Sequence, residues 1–217
     1  VMGIYEGFHE RNVPVDFLSP QADLGTYKII VAPLLFLELP GLAERLKDYV
    51  ARGGNLVLTM RSGVKNAADV CQADSPLPGP FGELLGIEVL DYDCLRSGPV
   101  AVERGGRSFR ADLWWDVLSL RGAEVWAIGQ GPLHRGEPAI TRHGYGTGRA
   151  WYIGTRPDTA LTGLLCEAIA AEAGVEALGP AVPGLELCRR RTKDEDYLFV
   201  LNHTEETKRA GLDASWS

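Results

Sequence analysis

The chain has 217 residues, 45% of them hydrophobic, which is enough for one large domain, or a domain plus a small module, without a disulfide or metal staple. Its 22 basic and 29 acidic residues leave a formal charge of −7, which argues against nucleic acid or an anionic membrane as the main partner, because both need a basic surface. No apolar run approaches the roughly 18 residues of a membrane helix, and "VMGIYEGFHERNV" lacks the basic start and apolar centre of a signal peptide.

Taken in chain order, Met2 to Arg11 read as the end of a helix, and "VPVDFLSP" (13–20) as a strand ending at Pro20. "YKIIVAPLL" (27–35) is a near-continuous apolar run, expected for a strand buried on both faces of a parallel sheet. Pro40 opens a helix in which Leu42, Leu46, Tyr49 and Val50 form one apolar stripe, and Gly53-Gly54 stop it. "NLVLTM" (55–60) is the next buried strand. "ADSPLPGP" (73–80) is a proline-rich loop, and "FGELLGIEVLDYD" is a short helix followed by a strand.

From residue 95 to 155 the character changes to hairpins. Gly105-Gly106 turn between two alternating runs, "AEVWAIG" is a short strand, and "PAITRHGYGTGRAWYIGT" is a strand pair. A helix spans 158–175, with Asp158 as N-cap and Gly174 as stop. After the linker "LGPAVPG" come two strands, "LELCRRR" and "DYLFVLN", and then the tail "HTEETKRAGLDASWS". Strands alternating with helices predict an α/β sheet with crossover connections. A doubly wound domain normally opens with a strand, whereas this chain opens partway into a helix. The expectation is therefore that the first strand is supplied elsewhere, or that the chain is a piece of something longer.

Gly144, Gly146 and Gly148 invite a phosphate-loop reading. Their spacing is G-x-G-x-G, however, and a strand rather than a helix N-terminus follows, so a tight turn is favoured. A nucleophile would be expected straight after a central strand, where Met60, Arg61, Ser62 and Gly63 stand; Ser62 lacks a G-x-S-x-G frame and a placed base. The four cysteines, Cys71, Cys94, Cys166 and Cys188, form no CxxC pair, which excludes a zinc ribbon and is consistent with a reducing cytoplasm.

His9, His134, His143 and His203 show no metal-ligand spacing, although His134 and His143 flank one strand and could approach each other. Glu38, Glu83, Asp116 and Glu137 sit in no recognisable acid/base frame. Trp114-Trp115-Asp116 is the best surface candidate. Adjacent tryptophans in an extended segment face opposite ways, so one can be core while the other contacts a subunit or stacks on a sugar. The Asn202-His203-Thr204 sequon is read as chance without a secretory signal.

Five stretches in order, "VPVDFLSPQADLGTYKIIVAPLLFL", "LAERLKDYVARGGNLVLTMRSGVKN", "PLPGPFGELLGIEVLDYD", "GEPAITRHGYGTGRAWYIGT" and "LCRRRTKDEDYLFVLNHTEE", resemble the bacterial β-galactosidases of glycoside hydrolase family 42. The resemblance implies an amidotransferase-like (flavodoxin-like) α/β domain over 1–180, with a mostly parallel sheet, flanking helices and β-hairpins, through which subunits form homotrimers. It implies the start of a small C-terminal β domain over 181–217. In that family the catalytic glutamates and a zinc-binding cysteine cluster belong to an N-terminal barrel. No catalytic, cofactor-binding or metal residue is therefore carried onto this sequence, and galactosides, cleaved with retention, would be bound by that barrel. Trp114, Trp115 and Asp116 are kept as interface or sugar-proximal candidates. The rivals are an amidotransferase-like hydrolase using Ser62 or Cys71, and a carbohydrate-binding module using Trp114 or Trp115.

Overall fold

The computed structural model describes residues 2–71 and 75–212, so part of the proline-rich loop and the end of the tail lie outside the described residues. The chain forms two compact units, one made of Val1–Ser19 and Thr162–Ser217, the other of Pro20–Leu161.

The larger unit holds a nine-stranded sheet. Its strands are β1 (Ile29–Ala32), β2 (Asn55–Thr59), β3 (Ile87–Asp93), β4 (Val100–Arg104), β5 (Arg107–Leu120), β6 (Glu124–Gly129), β7 (Pro138–Tyr145), β8 (Gly148–Ile153) and β9 (Thr155–Pro157). Their order is β1-β2-β8-β7-β6-β4-β5-β3, with β9 paired to β5. The expected parallel character belongs to β1, β2 and β8; every other pairing is antiparallel. The physical reason is the short turns after residue 95, because a two-residue connection such as Gly105-Gly106 can only join antiparallel neighbours.

All five residues of β2 are buried, as a strand covered on both faces should be. β1 was expected to match it but is only half-buried, because it is the sheet's edge. Helix α2 (Leu42–Ala51) lays the expected stripe of Leu42, Leu46, Tyr49 and Val50 into the core. There it meets Leu56 and Leu58 of β2, with Leu84 and Leu85 of the short helix α3 (Gly82–Leu85). Each of these leucines contributes about 2 kcal/mol by leaving water. The hydroxyl of Tyr49 donates to the Tyr27 carbonyl at 3.0 Å, and burial pushes that phenol up to about 12.

The smaller unit contains α1 (Met2–His9) and the antiparallel pair β10 (Leu185–Arg191) and β11 (Asp196–Asn202). Residues 162–172 of helix α4 (Thr159–Glu172) belong to this unit as well, and the helix starts at an Asp158 carboxylate that accepts from the Leu161 amide at 2.8 Å. The expected strand at 13–20 is not formed. Pro14 has no amide to donate, and Phe17 lies 78% exposed against Tyr5. Asn12 ties this unit together: its side-chain amide donates to the Pro180 carbonyl and its oxygen accepts from the Leu187 amide, both at 3.0 Å. In β10, Arg189 and Arg191 share a face and both pair with Asp196, holding its carboxyl down at about 2.

Among the described residues no helix is long and apolar enough to cross a membrane.

Candidate functional site, an arginine held by aromatic rings

Strand β2 ends in the turn over residues 60–63, where the sequence led us to look for a nucleophile. Ser62 is buried and donates its hydroxyl proton to the Thr59 carbonyl at 2.7 Å, so it is a structural clasp. Gly63 takes a left-handed φ of 66°, and a Cβ there would stand 2.1 Å from the Pro78 carbonyl oxygen. Arg61 also takes φ 66°, a conformation that L side chains enter at a cost. Its guanidinium carbon lies 4.8 Å from the Trp114 ring centre, 5.0 Å from Phe36 and 6.0 Å from Tyr92. Stacked contacts of this sort are favourable because the cation meets the negative ring face. Among the described residues no hydrogen-bond acceptor is placed on the Arg61 N–H groups.

The aromatic wall comes from β5 and β3. The β5–β9 pairing shifts register between Asp112 and Trp115, with Leu113 at φ 66°. This irregularity separates the two tryptophans. Trp115 goes fully into the core and stacks on His134 at 4.6 Å. Trp114 stays half-buried, with Tyr92 stacked on it at 4.4 Å and nearly coplanar.

Asp116 lies beneath and is 3% exposed. It accepts from the Trp114 indole N–H and from the Tyr152 hydroxyl, each at 2.7 Å. Burial raises its carboxyl above the usual aspartate range, while those two hydrogen bonds and the Arg61 charge pull the other way. Burial, with the charge of Asp116, also raises the Tyr152 phenol well above its ordinary range. Asp116 is thus a buried anchor for the indole.

The remaining sequence candidates pair locally and do not gather into one site. His134 faces Glu137 at 2.8 Å and Asp93 at 3.2 Å, whereas His143 meets the Leu84 carbonyl at 3.1 Å. Glu83 pairs with Lys47, and Glu186 lies between His9 and His203. Among the described residues no group of histidine, cysteine and carboxylate side chains could hold a metal. The four thiols are free; Cys71 is exposed, and Cys166 is buried and pushed up to about 12 by that burial. The Asn202 side chain is occupied by a turn with Thr204 and Glu206.

Of the three surface candidates from the sequence, Trp114 lines the arginine cluster, whereas Trp115 and Asp116 are buried; Phe36, Arg61 and Tyr92 were not singled out as binding residues. The usable signal for Arg61 was its place directly after a buried strand.

The sequence matches the description "Beta-galactosidase trimerisation domain" over residues 1–176 and "Beta-galactosidase C-terminal domain" over 184–216. The β-galactosidase LacA of Lactobacillus acidophilus is 35% identical over 96% of this chain and 31% of its own length. The crystal structure of the β-galactosidase from Bacillus circulans sp. alkalophilus is similar with a TM-score of 0.89 at 30% identity, covering 94% of this chain and 31% of that one. That of Rahnella sp. R3 gives 0.90 at 28% identity, covering 97% and 32%. The chain therefore spans about a third of the length of the relatives it matches. It belongs to the β-galactosidases of glycoside hydrolase family 42, as their trimerisation-domain region.

Proposed function

We propose that this chain is the non-catalytic assembly portion of a family 42 β-galactosidase, holding three subunits together as a homotrimer. On this reading residues 1–180 are an amidotransferase-like α/β trimerisation domain and 181–217 begin the C-terminal β domain. The enzyme's hydrolysis of terminal β-D-galactosides with retention, in the cytoplasm, is carried out by a barrel outside these residues. The observation that carries the reading is the turn after β2. The family match gives the region its assembly role, and at the one place where the fold would put a nucleophile stand Arg61 and a Ser62 whose hydroxyl is locked onto a carbonyl.

Size-exclusion chromatography with light scattering tests it. The expected result is a mass that climbs with concentration toward three chains, without galactosidase, glutaminase or esterase turnover. A mass of one chain at every concentration, or esterase activity abolished by Ser62→Ala or Cys71→Ala, would sink it.

A further inference from the structure

Leu34 (φ 51°) and Leu113 (φ 66°) are left-handed and exposed, at 45% and 53%. Left-handed backbone is least costly for glycine or asparagine, and an exposed leucine gains no burial in return. Neither leucine side chain therefore offsets its backbone strain by burial in the single chain. Both flank the arginine cluster: Leu34 lies two residues before Phe36, and Leu113 lies next to Trp114. The Leu34 amide donates to the Thr59 hydroxyl at 2.8 Å, which pins its loop to the end of β2, where Arg61 turns. Tyr92, the outer ring of the stack, is 54% exposed.

Left-handed Leu34 and Leu113 thus sit on the same two segments as Phe36 and Trp114, the rings that lie 5.0 and 4.8 Å from the guanidinium of Arg61, itself left-handed. Strain persists where something outside local stability selects it. Tryptophan, tyrosine and arginine are the residues that dominate binding energy at protein contacts.

We propose that the face built by Leu34, Phe36, Arg61, Tyr92, Leu113 and Trp114 is the surface through which one copy of this chain grips the next. This rests on the assembly reading above. The occupant is a second copy because the family description of residues 1–176 assigns this region to trimerisation. A closed ring of three uses a heterologous contact, so this face meets a different face of its neighbour. That opposing face supplies carboxylate or carbonyl oxygens to the Arg61 guanidinium, and a chain with 29 acidic residues has acceptors to offer.

Sedimentation velocity across a concentration series decides, using the chain with Arg61→Glu, Leu113→Asn, Tyr92→Ala and, at the opposite end of β2, Arg52→Ala. Each of the first three weakens association about tenfold or more, the scale of one lost contact residue, and Arg52→Ala leaves it unchanged. Leu113→Asn carries the sharpest readout. It relieves a left-handed leucine, so melting of the dilute single chain rises by about 2–5 °C while association falls. If the wild type associates and Arg61→Glu and Leu113→Asn associate as tightly, this face is wrong and the assembly reading survives. If Leu113→Asn lowers melting and association together, Leu113 serves its own fold and the proposal is overturned. A wild type that stays a single chain throughout overturns both.

Discussion

The turn at 145–148, where β7 returns as β8, and the turn at 60–63, where β2 ends, stand at opposite ends of the parallel strands and are built from different residues. At the first, glycine is required by close approach. A Cβ on Gly148 would stand 2.2 Å from the Val50 carbonyl oxygen, and one on left-handed Gly146 would stand 2.5 Å from the Ala51 backbone. That turn packs against the end of α2, where the Thr147 hydroxyl donates to the Ala51 carbonyl at 3.1 Å. At the second, Arg61 occupies a left-handed position that Gly63 shares two residues later, and it sends its side chain outward into a set of rings. One turn uses small residues to close the fold; the other tolerates strain to present a side chain.

The largest expected effect tests the closed turn. Gly148→Ala drives a methyl into two backbone carbonyls and should destabilise the chain by about 3 kcal/mol or more in urea unfolding. Gly144→Ala, which meets nothing within 4 Å, should fall within about 0.5 kcal/mol of wild type. Equal losses at the two positions would break the contrast.

Beneath the open turn, Asp116→Ala leaves the buried Tyr152 hydroxyl without its acceptor and should lose about 2 kcal/mol. Its pH signature follows from the raised carboxyl. The folded chain holds the Asp116 proton more tightly than the unfolded chain does. The associated stability is full below the ordinary aspartate range and is lost as pH rises through the raised value. Urea unfolding between pH 3 and 8 should show this fall, and Asp116→Asn should flatten it.

Ser62→Ala removes one buried hydrogen bond, an expected loss of about 1 kcal/mol without any change in hydrolytic activity. Smallest is Leu34→Asn, which should stabilise the chain by about 0.5 kcal/mol, read as a shift in melting temperature, because asparagine tolerates the left-handed conformation. A clear loss there would mean that Leu34 supports its own loop.

Much of the architecture was legible beforehand because it rests on local rules. The stripe on α2, the burial of β2, the Gly105-Gly106 hairpin and the Asp158 cap all follow from periodicity and turn chemistry over a few residues. The glycine turn was legible too, since G-x-G-x-G followed by a strand excludes a helix N-terminus.

Other features depended on partners far along the chain. That β1 is an edge and β8 inserts beside β2 is set by pairings across almost 100 residues, which no local pattern encodes. The expected strand at 13–20 had the right residues but found no partner. Trp114 and Trp115 were expected to face opposite ways, and the register shift in β5 decided which one entered the core. Arg61 stood in plain view as the residue after a buried strand. Its left-handed backbone and its rings come from β2, β3, β5 and the loop after β1, and only the folded sheet brings those four segments to one place.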